Sequence, residues 1–373
     1  VTRAVAYFGT FDPAYTRNAV LIAGLRERGV AVHEIRAPLP AIDAAAMATA
    51  AGATRVAGGV LAAHARLAAQ HRRRLDVDAV IVGYPGHLVV PFGRLVAAVR
   101  RSRLVFDPLV SLGDTFSGDR ALVDATSTLG RAVAAADRVA FGCAGLVLAD
   151  TWEQAAFYGS RFAVPRERLA VVPVGALPEP QATGAARHLG PNEPLVVFQY
   201  GKWSPLHGAE TVLAAAELLR GRPVRFVLAG EGQLSTELRA RIVARGLDNV
   251  DWLGMQRPGQ LRALTLAADV CLGAFGTSEK ARRVVPTKVH EALACGRPVV
   301  TADSAAAREL LQDGADALLV PPGDAAALAA ALERLTAEGL RAALGAAGLA
   351  LYRRALTPAA VAGRLLAALE GRP

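Results

Sequence analysis

The chain has 373 residues, of which 53% are hydrophobic and 5% aromatic, and a formal net charge of +9. That length suits two domains with a core each, and no run reaches the ~18 apolar residues that would span a membrane. Nucleic acid is set aside as the reason for the charge, because the basic residues are not interleaved with aromatics. Lysine occurs only at 202, 280 and 288 among 42 basic residues. The arginine excess reads as codon bias, which makes two lysines in motif positions more informative. Cys143, Cys271 and Cys295 have no metal or redox spacing, so they read as buried free thiols of a reducing, cytoplasmic protein.

Strands and helices alternate along the chain, the pattern of parallel sheets covered on both faces. The opening VTRAVAYFGTF reads as a strand without a cleavage pattern. Strands are predicted at about 3–8, 30–36, 79–84, 103–107, 138–141, 145–149 and 169–173. A helix over 18–29 stops at Gly29. The stretch PFGRLVAAVRRSRL (91–104) is basic and amphipathic; it offers either an ordinary surface helix or a peripheral membrane contact. Residues 174–194, rich in proline, glycine and alanine, read as a linker. Further strands are predicted near 195–200, 224–229, 250–253, 270–272, 298–301 and 317–320. LTPAAVAGRLLAALEGRP reads as a terminal helix with Pro358 in its first turn.

Ligands of open α/β sheets bind beyond the carboxyl ends of the strands. Gly9, Thr10 and Asp12, then Tyr84 to His87, then Asp107 follow strands of the first half. Lys202, Glu231 and Phe275 follow strands of the second. Asp76 and Asp78 form a D-x-D string, but it precedes its strand and reads as structural rather than metal-binding. His33, His64, His71, His188 and His290 show no pattern and read as surface or packing residues.

Two stretches carry most of the chemistry. PTKVHEALACGRPVV (286–300) gives a helix opened by Pro286, stopped at Gly296 and followed by an apolar strand. Lys288 and Glu291, three apart, project from one face near a helix N-terminus, which attracts anions. A cation, a carboxylate and a helix start can grip a phosphate and a ribose. GKWSPLHG (201–208) supplies a second loop with Lys202 and His207.

With LVVFQYGKWSPLHG, RFVLAGEGQL, NVDWLGMQRPGQ and PTKVHEALACGRPVV in this order, residues 195–330 resemble the nucleotide-binding half of the GT-B glycosyltransferases, in particular their retaining family 4. The resemblance implies an α/β fold: two Rossmann-like doubly wound domains facing across a cleft, with the C-terminal helix crossing back to the N-domain. The boundaries expected are 1–178 plus 356–373 for the acceptor domain and 179–355 for the nucleotide-sugar domain. It implies Lys202 and His207 as the diphosphate-binding cations, usually arginine and lysine. It implies Glu291 on the ribose hydroxyls, and the Gly254, Met255 and Gln256 backbone near the base. Glu231 and Gly232 belong to the same donor loop set. Gly9 and Thr10 would approach the diphosphate.

Two departures stand out. Relatives carry a glutamate eight residues before the position of Glu291, where this chain has Arg283; Pro286, Thr287 and Lys288 then become the donor-sugar contacts. Lys280, Arg282 and Arg283 read equally as a solvated charge run. Relatives also carry a histidine after the fourth strand, where this chain has Asp107, with His87 close enough in layout to replace it. Asp107 would act as a charged acceptor or base, so Asp107→Asn should lower turnover without changing the melting temperature. His207 would be cationic beside a diphosphate. The implied activity is hexosyl transfer from a nucleotide-diphosphate sugar to an acceptor hydroxyl, with retention and no metal or other cofactor. The partners are then a small-molecule donor and acceptor. A nucleotide-sugar epimerase of the same fold and a non-catalytic nucleotide-sugar-binding subunit are the alternatives.

Overall fold

The computed structural model describes residues 2–37, 50–71, 76–190 and 193–371; Pro191 and Asn192 of the proposed linker and the side chain of His71 lie outside this description. The chain divides into two compact units, Val1–Val174 with Pro358–Pro373, and Gly175–Thr357.

The first unit has strands β1 (Ala4–Gly9), β2 (Ala31–Arg36), β3 (Ala79–Val82), β4 (Arg103–Phe106), β5 (Leu146–Ala149) and β6 (Leu169–Val171). They pair in parallel in the order β2-β1-β3-β4-β5-β6. Its helices are α1 (Thr16–Glu27), α2 (Ala50–His71), α3 (Val90–Arg100), α4 (Thr128–Cys143) and α5 (Trp152–Phe162). The strands read as unbroken apolar runs, such as AVIV in β3, because both sheet faces are covered. On one face α2 to α5 pack Leu67, Val96, Phe141 and Tyr158 onto Phe8, Val82 and Phe106. On the other, α1 packs with the terminal helix Pro358–Leu369 over Tyr7, Ile81 and Val105. Arg28 Nε of the chain after α1 donates to Ala359 O at 2.6 Å.

The strand expected at 138–141 does not form. RVAF lies within α4, whose buried Val133, Asp137, Ala140 and Phe141 follow the helical period while Arg138 and Val139 face out. Ser127 caps that helix, accepting from Gly130 N at 3.0 Å. The short apolar run was compatible with either structure, and the cap decides for the helix.

The second unit has β7 (Leu195–Tyr200), β8 (Val224–Ala229), β9 (Val250–Trp252), β10 (Val270–Leu272), β11 (Val299–Ala302) and β12 (Leu318–Val320). Their parallel order is β12-β11-β10-β7-β8-β9. Helices α6 (Ala209–Leu218), α7 (Ser235–Ala244), α8 (Pro258–Ala267), α9 (Glu279–Arg283), α10 (Thr287–Ala294), α11 (Ala305–Leu310), α12 (Ala325–Arg334) and α13 (Glu338–Ala355) accompany them. The strand order runs outward from β7 to β9 and then, from β10, outward the other way. The reversal opens a crevice beyond the carboxyl ends of β7 and β10, where such sheets bind ligands. In the first sheet the same reversal falls between β1 and β3.

Candidate functional site

Four loops meet at the carboxyl edge of the second sheet. Trp203, fully buried, donates its Nε1–H to Gly230 O at 2.9 Å and packs on Trp252, ring centroids 5.2 Å apart. Gly230 sits at φ 114°, and a Cβ there would lie 2.0 Å from Gly201 O, so only glycine lets the loops after β7 and β8 approach this closely. Across the reversal, Gln199 Nε2 donates to Gly273 O at 2.9 Å. Phe275 N and Gly276 N donate to His207 O and Leu206 O, both at 3.2 Å. Phe275, expected to face the cleft, is fully buried and serves as core.

Lys288 is the most unusual group at this edge. It is buried in the first turn of α10, and its Nζ has no hydrogen-bond partner among the described residues. Nζ lies 5.8 Å from the centroid of the Tyr200 ring. Burial pulls the amine down to about 7, against the Glu291 carboxylate, which pushes it up. A Cβ built on Gly201 would lie 3.2 Å from Lys288 Nζ and 2.5 Å from His207 Nε2, so both nitrogens converge on the Gly201 backbone. An unpaired buried ammonium is costly unless an anion arrives, and the N–H groups at a helix start favour the same charge.

The His207 ring is oriented from behind. His207 Nδ1 accepts from Ser204 N at 3.4 Å and stands 3.2 Å from Ser204 Oγ, closing a capping box over the turn Pro205–His207. With Nδ1 accepting, Nε2 carries the ring proton, on the side facing Gly201. Glu291, half-buried one turn beyond Lys288, accepts at Oε2 from the Tyr200 hydroxyl. Burial and that carboxylate hold the Tyr200 hydroxyl protonated, well above its ordinary pKa. Tyr200, Ser204 and Trp203 escaped the sequence reading. The position of Tyr200 as the last residue of a strand before a site loop was the available signal.

Lys202 is exposed on the loop after β7. Glu231 pairs with Arg239 at 3.2 Å, and Gly232 N donates to Ser235 Oγ at 2.7 Å, so this loop is closed on α7. Met255 is exposed, and Gln256 Nε2 donates to Leu253 O at 2.6 Å. Pro286 is the N-cap of α10 rather than its first turn, and Thr287 begins the helix. The charge run in α9 is not uniformly solvated: Lys280 is buried, while Arg282 is exposed 3.6 Å from Glu279. Cys271 and Cys295 are buried, whereas Cys143 is only partly so.

In the first unit the candidates do not gather into one polar cluster. Gly9 has φ 121° with Val89 packed behind it, so the backbone itself requires glycine whatever binds nearby. Thr10 Oγ1 donates to Pro85 O at 2.6 Å, and Asp12 Oδ1 accepts from Ala14 N at 3.0 Å. His87 is buried against Phe106, with Nε2 donating to Val110 O at 2.9 Å and standing 3.6 Å from Asp137 Oδ1. Burial pulls its pKa down despite Asp137. Nδ1 has no partner among the described residues.

Asp107 corrects the sequence reading. It is not a charged acceptor open to a ligand. Its two oxygens take Arg17 Nε at 2.8 Å and Nη2 at 3.1 Å, and both side chains are only 1% exposed. Arg17 Nη1 also donates to Val172 O and Pro173 O, both at 2.7 Å. The pair thus ties α1 and the end of β4 to the last residues before the unit boundary. Arg17 was invisible as a partner because it lies 90 residues away in sequence. Asp78 Oδ2 accepts from Arg3 N and Ala4 N at 2.7 and 3.0 Å, a structural use at the start of β1.

These two parallel sheets and their connections define the GT-B fold. Residues 194–338 match the family model described as glycosyl transferases group 1. The chain is 34% identical over 229 residues to the D-inositol 3-phosphate glycosyltransferase of Acidothermus cellulolyticus, covering 57% of this chain and 48% of the relative. It thus spans about half the length of the curated relatives it matches. Anabaena HepE in complex with UDP-glucose superposes with a TM-score of 0.66 at 17% identity, covering 99% and 100% of the two chains. Sucrose-phosphate synthase from Thermosynechococcus elongatus gives a TM-score of 0.69 at 17% identity over 97% of each.

Proposed function

We propose that this chain transfers a hexosyl group from a nucleoside-diphosphate sugar to an acceptor hydroxyl, with retention and without a metal. The observation that carries the reading is Lys288: a buried, unpartnered amine at a helix start, converging with His207 Nε2 on Gly201. Relatives act on or bind molecules of this kind by name, one with UDP-glucose and another on inositol 3-phosphate.

In this reading the diphosphate accepts from His207 Nε2, the α10 N–H groups and Lys288, whose amine takes up a proton as the anion arrives. Glu291, held by Tyr200, accepts from ribose hydroxyls. Lys202 adds an exposed cation on the loop before the Ser204 turn. Negative charge grows on the diphosphate as the glycosidic bond breaks, and these donors, fixed beforehand, stabilise it most at that point. The acceptor attacks from the leaving-group face, and the departing phosphate takes its proton. Free thiols at three cysteines and the lack of any helix long and apolar enough to cross a membrane among the described residues suit a cytoplasmic setting.

Incubation with a panel of nucleotide sugars, with and without acceptors, tests this. Nucleotide release that depends on an acceptor and survives excess EDTA is expected; an epimerised donor without transfer, or binding without turnover, contradicts it. Lys202→Ala should cut turnover roughly 10²-fold, the scale of one lost charge-stabilising group. Near-normal turnover in that variant would remove Lys202 from the phosphate site.

A further inference from the structure

Lys288 is chemically at odds with the rest of the chain. Among 42 basic residues, lysine stands only at 202, 280 and 288. A fixed cation for a diphosphate is best made from arginine, which never loses its charge and binds two oxygens at once. This chain uses arginine almost everywhere else. A lysine at a buried anion site supplies what arginine cannot, an amine that sheds its proton and becomes a nucleophile.

The surroundings of Nζ favour the uncharged amine. Lys288 is 6% exposed, and Nζ meets no hydrogen-bond partner among the described residues. Glu291, the carboxylate one turn on, accepts from the Tyr200 hydroxyl. Beside Nζ the structure keeps room. Gly201 is not one of the glycines with positive φ, so its backbone does not demand glycine. Its missing side chain does. A Cβ there would stand 3.2 Å from Lys288 Nζ and 2.5 Å from His207 Nε2. The gap is bordered by the amine and by the ring N–H. Unpaired N–H groups at the start of α10 add to the same preference for negative charge. A small electrophile that turns an amine into an anion suits such a place.

We infer that Lys288 is a carbamylation site, where dissolved carbon dioxide adds to Nζ and leaves an anion in the gap beside Gly201. The Nζ lone pair attacks the carbon and a C–N bond forms. One C=O π pair moves onto oxygen, and a proton leaves Nζ for solvent. The product is a carbamate, –NH–COO⁻, and nothing is oxidised or reduced. His207 Nε2–H and the α10 N–H groups are the donors for its oxygens. Burial, which pulls the amine down to about 7, leaves a large share of it neutral at pH 7.5. The carbamate puts its charge where a nucleotide diphosphate would put its own, so carbon dioxide should oppose nucleotide binding. That consequence, unlike the modification itself, rests on the diphosphate reading.

The test incubates the protein at pH 7.5 with isotopically labelled bicarbonate, which supplies carbon dioxide. Carbamates are trapped by O-ethylation with triethyloxonium, and the labelled residue is mapped by peptide mass spectrometry. An ordinary lysine amine is almost wholly charged at this pH, so label on Lys288 is expected to exceed that on the exposed Lys202 at least about tenfold. Lys288→Arg keeps a cation but should lose the label, and mapping on the parent protein carries the test if that variant fails to fold. No label on Lys288, or no more than on Lys202, overturns the inference. Titration with UDP, GDP and ADP, with and without bicarbonate at equal ionic strength, separates it from the diphosphate reading. Affinity weakened several-fold by bicarbonate in the parent, and unchanged in Lys288→Arg, supports both. Label on Lys288 with unchanged nucleotide affinity leaves the carbamate standing and removes Lys288 from the diphosphate site.

Discussion

Replacing Asp107 by alanine is expected to destabilise the first unit by about 3–5 kcal/mol, the usual cost of leaving a buried charge without its partner. Arg17 would remain 1% exposed with its Nε and Nη2 unpaired. A melting curve or denaturant titration reads this directly. Asp107→Asn should be milder, because one amide oxygen still accepts from Arg17, but it too should lower the melting temperature. Arg17→Met combined with Asp107→Leu should recover part of the loss, since an apolar pair of similar volume needs no counterion. The recovery stays incomplete because Val172 O and Pro173 O lose the Nη1 donor. If Asp107→Ala melts like the parent and instead abolishes turnover, Asp107 serves the chemistry and the buried-pair description is wrong.

The second large effect is expected at Lys288, with opposite signs for stability and binding. Burial lowers its amine from 10.5 to about 7. At 1.36 kcal/mol per pKa unit this corresponds to a few kcal/mol, in order of magnitude, of instability in the free protein. The folded pKa lies below the unfolded one, so the penalty is complete below about pH 7 and vanishes as pH rises toward 10.5. Lys288→Met should therefore raise the melting temperature at pH 7, with the gain fading by about pH 10, while nucleotide affinity falls at least about tenfold. A variant that binds nucleotide normally would show that the buried amine is not the anion's partner.

Much of this was legible in sequence because it is local. Predicted strands at 195–200, 224–229 and 270–272 match β7, β8 and β10, since unbroken apolar runs between turn residues admit few alternatives. Lys288 and Glu291 were recognisable from their spacing and from Pro286 and Gly296 around them. What stayed hidden depends on contacts distant in sequence. The Arg17–Asp107 pair joins α1 to the end of β4, so Asp107 looked like a free carboxylate. The burial of Lys288, which makes it a proton-coupled group rather than an ordinary lysine, comes from tertiary packing that its spacing in sequence does not reveal.

The most direct measurement is calorimetric titration with UDP, GDP and ADP at pH 7.5, in two buffers of different ionisation heat, on the parent chain and on Lys288→Met. At least one nucleotide should bind the parent with uptake of about half a proton or more, as an amine with a pKa of about 7 becomes charged beside the diphosphate. The uptake should vanish in Lys288→Met. Binding of none of the three, or binding with the same proton balance in both proteins, would contradict a nucleoside-diphosphate site built around Lys288.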